Sequence, residues 1–164
     1  MTKNNNQSVD NIIRDEYDIV KNSKFLRSIG CSAGPKVKNK MKEWTAVYKG
    51  PKGTPYEGFL FELNITFPDN YPNSPPQVEC LTPIYHMNIS GKNICVSSIK
   101  TSWSKAKNIS NVLLSIFYIL CVPEPDDPYR PDLAQLHKNN PKLYEKNARD
   151  FCEKYAIKIE EECF

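Results

Sequence analysis

Trp44 to Phe67 reads WTAVYKGPKGTPYEGFLFELNITF, and its two-residue period decides the fold. Trp44, Ala46 and Tyr48 alternate with Thr45, Val47 and Lys49. A turn carrying Gly50, Pro51, Gly53 and Pro55 follows, and then Phe59, Phe61, Leu63, Ile65 and Phe67 face one way while Glu62, Asn64 and Thr66 face the other. Successive side chains of a strand point to opposite faces, so this pattern buries one face and wets the other, as in an antiparallel sheet covered on one side. Together with Gln77 to Leu81 and the residues around Cys31 to Val37, the stretch predicts a short meander of four strands.

Outward from the sheet the period changes. Val9, Ile12, Ile13, Tyr17 and Val20 recur at helical spacing with Asp10, Asp15, Glu16 and Asp18 on other faces, which predicts an amphipathic helix ending before about Phe25. Residues 111–121, NVLLSIFYILC, are apolar all round and predict a central buried helix, with Ser110 as its N-cap and Pro123 closing it. Asn140 and Pro141 mark the start of a last helix, whose Tyr144, Ala148, Phe151, Tyr155 and Ile159 are read as a core-facing stripe. The fold class is therefore α+β, with one core domain over residues 9–160 and a polar, Asn-rich tail at 1–8 expected to be disordered.

The 164 residues, 40% hydrophobic and 25% charged, can bury a core that needs no metal or disulfide. A net charge of +3 is too mild to imply nucleic acid. The longest apolar run, Val112 to Val122, is broken by Ser115 and falls far short of the roughly 20 residues of a membrane-spanning helix. MTKNNNQSVD contains no apolar leader, so cytoplasmic or nuclear residence is expected, with the 6 cysteines reduced. No C-x-x-C spacing occurs and only 2 histidines are present, so metal-ligand spacing is absent. The 13 prolines cluster between Phe67 and His86 and again after Val122, which predicts two rigid loops. Lys36, Lys38, Lys40 and Lys42 share a period of two and are read as the solvated face of an extended segment, in preference to a site for an acidic partner.

Residues 83–108, PIYHMNISGKNICVSSIKTSWSKAKN, have little periodicity and many hydrogen-bonding side chains, the mark of a functional segment. Cys95, with His86 and several asparagines nearby in sequence, supplies the inventory for nucleophilic or acyl-carrying sulfur chemistry, and the residues alone leave it either a reactive or a buried thiol. Cys80, Cys121 and Cys152 lie in apolar elements and are read as core.

Tyr85-His86-Met87-Asn88, Ile94-Cys95, Trp103-Ser104 and Pro123-Glu124-Pro125-Asp126-Asp127-Pro128 resemble the ubiquitin-conjugating enzymes, in which an H-P-N motif precedes a thioester cysteine. The resemblance covers about residues 31 to 157. It takes in Cys31-Ser32-Ala33-Gly34-Pro35, the turn at Tyr48 to Pro51, Phe67-Pro68, Tyr71-Pro72 and Pro75-Pro76, and is closest to the small single-domain conjugators with a UBC core. It implies that Cys95 accepts ubiquitin, or a related modifier, from the activating enzyme as a thioester and passes it to a substrate lysine with a RING or HECT ligase. Asn88 would be the oxyanion donor and Asp127 would orient the incoming lysine. His86 matches a histidine that supports the loop, which is preferred to a general base. Asn73, Lys105 and Ala106 fall at ligase-facing positions. Ser32 matches a position that contacts a second, noncovalent ubiquitin in some relatives, or is merely an exposed serine. ATP would be used upstream, and a monomer with neither membrane nor nucleic acid as partner is expected.

The departures from the motif are specific. Met87 stands for the proline, six residues separate Asn88 from Cys95 where seven are usual, and Ser97 stands for a common Asp. Asn73 replaces a Phe and Lys105 a proline. In the first helix Asp10, Asp15, Glu16 and Asp18 outnumber Arg14, Lys21 and Lys24, where the family docks its activating enzyme through basic residues. These departures motivate an alternative, a catalytically weak or inactive scaffold that partners an active conjugator or ligase. A third reading, a cysteine hydrolase built on Cys95 and His86, has no other motif to support it.

Overall fold

The alternating stretch forms two antiparallel strands, β2 (Glu43–Lys49) and β3 (Phe59–Thr66), with Trp44 opposite Ile65 and Tyr48 opposite Phe61. The computed structural model describes residues 8–94 and 102–160. β1 (Cys31–Pro35) pairs with β2, and β4 (Gln77–Cys80) with the far half of β3. Among the described residues the meander is extended by three strands of two residues each: β5 (Ile89–Ser90), β6 (Asn93–Ile94) and β7 (Ile157–Lys158). The order is β1-β2-β3-β4-β6-β5, and β7 adds to the other end of β3. Two residues are too few to show a period, so the sequence could not announce them.

Between β2 and β3 the chain doubles back so closely that a Cβ on Gly50 would lie 1.7 Å from the Tyr56 carbonyl oxygen. Glycine is required there, and the turn it permits buries Tyr56. The lysine series behaves differently from its reading. β1 stops at Pro35, and Lys36 to Lys40 form bends and a turn, with the Lys40 N–H donating to Val37 O at 2.9 Å. The extended face is therefore absent, because the chain must reverse from β1 into β2. Lys42 pairs with Asp69 at 2.7 Å.

α1 (Val9–Asn22) is capped by Ser8, whose hydroxyl accepts from the Asn11 N–H. It ends at Ser23, which in turn caps a short second helix, α2 (Lys24–Ser28). α3 (Ile109–Cys121) starts at Asn108 rather than Ser110, because Asn108 and Asn111 satisfy each other's backbone N–H groups as a capping box. Nor is α3 buried on every side: Ile109, Val112, Leu113, Ile116, Ile119 and Leu120 are, but Tyr118 is 62% exposed. Pro131 of the second proline cluster opens a helix, α4 (Pro131–Asn139). α5 (Pro141–Tyr155) begins at the expected cap, but its buried line is Tyr144, Ala148 and Cys152. Residues four apart stay on one face, whereas Phe151 drifts to the rim, Tyr155 becomes exposed and Ile159 lies beyond the helix.

The inner sheet face, Trp44, Ala46, Tyr48, Leu63 and Ile65, packs on α1 through Ile13 and Val20 and on α3. Glu16 joins the three parts. Its carboxylate accepts from the Tyr71 hydroxyl at 2.8 Å and from the Ile109 N–H, at the start of α3, at 2.9 Å. Burial raises its pKa, and those two donors oppose the rise. Glu16 therefore faces inward, and the acidic majority read on the first helix reduces to Asp10, Asp15 and Asp18 against Arg14, Lys21 and Lys24, all exposed.

Replacing Glu16 by Ala leaves two donors without an acceptor and is expected to cost roughly 2 kcal/mol, against at most about 0.5 kcal/mol for the exposed Asp18→Ala. Urea midpoints of the two variants measure the difference, and equal costs would remove the linking role.

Candidate active site

Four consecutive residues, Tyr85 to Asn88, cross the interior between β4 and β5 without regular structure, and His86, Met87 and Asn88 are all 0% exposed. Buried backbone outside helix and sheet must find its hydrogen-bond partners elsewhere. His86 Nε2 lies 2.9 Å from Ile119 O, near the C-terminus of α3, while Nδ1 accepts from the Asn88 N–H at 3.0 Å. A carbonyl on one side and an N–H on the other require the neutral ring with its proton on Nε2. Burial pushes the His86 pKa down to about 4. With neither nitrogen free, His86 is a strut and has no lone pair to offer as a base.

Asn88 reaches the segment after α3. Its Nδ2 donates to Glu124 O at 2.7 Å and to Asp127 O at 3.3 Å, and its Oδ1 accepts from the Glu124 N–H at 2.9 Å. One side chain thus clamps the backbone of the loop that carries Asp127, whose own side chain is exposed. His86, Asn88 and the backbone of Asp127 are thus brought together, and both Asn88 N–H groups are engaged.

β5 follows Asn88 directly and pairs Ile89 with Ile94, the residue before Cys95 in the sequence. Gly91, at φ 57°, and Lys92 make the tight turn between these strands. The six residues between Asn88 and Cys95 in the sequence, 89–94, are this hairpin. Cys95 and Ser97 themselves lie outside the described residues, as do Cys163 and residues 1–7 of the tail.

The described thiols differ from one another. Burial holds Cys31, Cys80 and Cys152 up at about 11, and Cys121 is raised as well, so none of these four is a thiolate near neutral pH. Cys121 is half-buried, not core, because it closes the exposed end of α3 beside a cavity of about 590 Å³ shared with Arg27, Lys49 and Phe117. Among the described residues no three His, Cys, Asp or Glu side chains gather as a metal site requires, and no helix is long and apolar enough to cross a membrane.

Asn73 is exposed in the loop between β3 and β4, and Lys105 and Ala106 are exposed before α3. Trp103 joins these two loops by donating Nε1–H to Pro72 O at 2.9 Å. Ser32 is exposed on β1, at the opposite edge of the sheet from β5 and β6. By its spacing Tyr144 reads as packing alone, yet its hydroxyl accepts from the buried Met87 N–H at 3.2 Å. A signal for more was present: a methionine where a motif has proline restores a backbone N–H that the interior must satisfy.

A family model described as ubiquitin-conjugating enzyme matches residues 13–152. "Probable ubiquitin-conjugating enzyme E2 31" of Arabidopsis thaliana is 44% identical over 142 residues, 86% of this chain and 89% of the relative. The E2 domain of a Toxoplasma gondii ubiquitin conjugating enzyme superposes with a TM-score of 0.76 at 34% identity, covering 88% of this chain and 97% of that one. A crystal structure described as a ubiquitin conjugating enzyme from Plasmodium yoelii gives 0.78 at 36% identity, over 89% and 94% of the respective chains.

His86 supplies a pH test. Its folded-state pKa is about 4, below the ordinary imidazole value, so the unfolded chain takes up a proton that the native state refuses. Stability is therefore lost as pH falls from about 6.5 to about 4, by on the order of 3 kcal/mol from this group. Urea midpoints across that window should fall less steeply in His86→Gln, which keeps a donor and an acceptor without titrating; parallel profiles would contradict the buried neutral ring.

Proposed function

The chain belongs to the ubiquitin-conjugating enzymes, and on that premise we propose that Cys95 takes ubiquitin, or a related modifier, from an activating enzyme as a thioester and passes it to a substrate lysine with a RING or HECT ligase, in the cytoplasm or nucleus. The observation that carries this reading is the Asn88 clamp, which ties an amide donor to the loop bearing Asp127. In the loading step the Cys95 thiolate attacks the carbonyl of the incoming thioester; a new S–C bond forms and the activating enzyme's thiolate leaves. In the second step a lysine amine attacks, the oxyanion collapses, and Cys95 leaves as thiolate. ATP is consumed upstream, and no cofactor is needed on this chain.

Each side chain has a role in that sequence. Attack builds negative charge on the carbonyl oxygen, which a pre-placed amide N–H stabilises. Of the two bonds that Asn88 donates, the one to Asp127 O at 3.3 Å is the longer and is the one to be exchanged for the oxyanion. Asp127, exposed on the clamped loop, orients the lysine and receives its proton. His86 acts only by fixing the backbone, and its occupied nitrogens favour acyl transfer over hydrolysis by a Cys95–His86 pair. A scaffold role draws on Met87, Ser97 and the engaged Asn88 amide. Retention of Cys95, Asn88 and Asp127 together favours the active enzyme.

A charging assay with activating enzyme, ATP and ubiquitin is expected to give a reductant-sensitive adduct on the wild type, a reductant-resistant oxyester on Cys95→Ser and nothing on Cys95→Ala. Absence of any adduct with ubiquitin and with related modifiers would leave the scaffold role. In the loaded enzyme, Asn88→Ala should slow lysine discharge by roughly a hundredfold.

A further inference from the structure

A proline at position 87 would fix φ and carry no N–H. Met87 carries one, and it is buried with the rest of the residue. The N–H donates to the Tyr144 hydroxyl of α5 at 3.2 Å, and the Met87 carbonyl accepts from the Arg130 N–H at 2.9 Å. One peptide group earlier in the strap formed by Tyr85 to Asn88, the Tyr85 carbonyl accepts from the Tyr56 hydroxyl at 2.8 Å. The Met87 N–H and the Tyr85 carbonyl thus each have a tyrosine hydroxyl from outside the segment as partner.

Two side chains from distant elements therefore grip both peptide groups that flank His86. The His86 ring holds the strap further, through Ile119 O and the Asn88 N–H. These bonds restrain the backbone of residues 85 to 88, and that backbone sets where the Asn88 amide meets Glu124 and Asp127 O. We propose that Tyr144, with Tyr56 on the adjacent peptide group, is a positioning residue for the transfer step: its hydroxyl, by accepting from Met87 N–H, holds the Asn88 amide in place, as a proline's fixed φ would at position 87. Tyr144 acts through Asn88 and touches no reacting atom. The proposal rests on the acyl-transfer reading above, and extends it to a residue of α5.

The test is a double-mutant cycle on the full chain. Wild type, Tyr144→Phe, Met87→Pro and the double variant are loaded with ubiquitin, and the purified thioester is chased with free lysine in a single turnover. The rate is read per loaded enzyme over a range of lysine concentrations. Removing the hydroxyl orphans a buried N–H, so Tyr144→Phe should lower the maximal discharge rate roughly tenfold, with half-saturating lysine unchanged within about twofold. In the Met87→Pro background no N–H remains to be orphaned, and the same change should cost less than about twofold. Equal losses in both backgrounds, or a shift confined to half-saturating lysine, would overturn the positioning role.

Met87 fills space against Leu133 and Tyr144, so the proline variant can fail to fold. Residue-resolved amide hydrogen exchange on Tyr144→Phe then decides. Faster exchange at Met87 with Ala46, in the sheet, unchanged supports the bond; an unchanged Met87 amide refutes it. Wild type that forms no thioester would count against the acyl-transfer reading, and the exchange measurement would still report on Tyr144.

Discussion

Irregular backbone in a dry interior has to be satisfied by someone else's polar groups, and in this protein the constraint falls on Tyr85 to Asn88. The partners come from the turn after β2 (Tyr56), from α3 (Ile119), from the loop beyond it (Glu124 and Asp127), from the residue before α4 (Arg130) and from α5 (Tyr144). Elements far apart in sequence are thereby obliged to agree on one arrangement. A buried network of this kind is costly when partly satisfied and specifying when complete. The same four residues carry the asparagine of the proposed chemistry, so the demand for satisfied hydrogen bonds and the demand for a fixed amide are met by one set of contacts.

α3 transmits that order across the molecule. Side chains from other elements hold it at three levels: Glu16 at its first N–H, the Tyr48 hydroxyl at Leu113 O, and His86 at Ile119 O. The Glu16 carboxylate also sits where the partial positive charge of the helix N-terminus is felt, which favours an anion despite its burial. Helix, sheet and strap therefore share a frame that packing of apolar faces alone would leave free to slide.

Much of this was legible, and what was not has a physical reason. The alternation of Trp44 to Phe67 fixed which residues face the core, because a period of two has a single solution once one face is apolar. Cys95, Asn88 and Asp127, the residues of the proposed chemistry, are nominated only through a spaced motif, since composition cannot separate a reactive thiol from a buried one. The inward turn of Glu16 was illegible: its helical position is compatible with solvent, and only the arrival of Tyr71 and Ile109 makes it structural. Asn108 displaced Ser110 as the cap through reciprocity with Asn111, a pairing that a single-residue preference does not weigh. Tyr144 was visible as apolar bulk, while its hydroxyl mattered only because residue 87 is not proline.

β7 brings Ile157 against Leu60 and Lys158 against Phe59, and the Ile159 N–H reaches Gly58 O at 2.8 Å. These partners lie roughly a hundred residues apart, so their pairing belongs to the high-contact-order class that waits on closure of a long loop. During synthesis β1 to β4 can pair early, but on the edge facing away from β2 that end of β3 has no neighbour until residue 158 has emerged. The exposed rim beside Phe59 and Leu60 is then an open strand edge, and its protection from aberrant pairing depends on how soon the far end of the core domain is made.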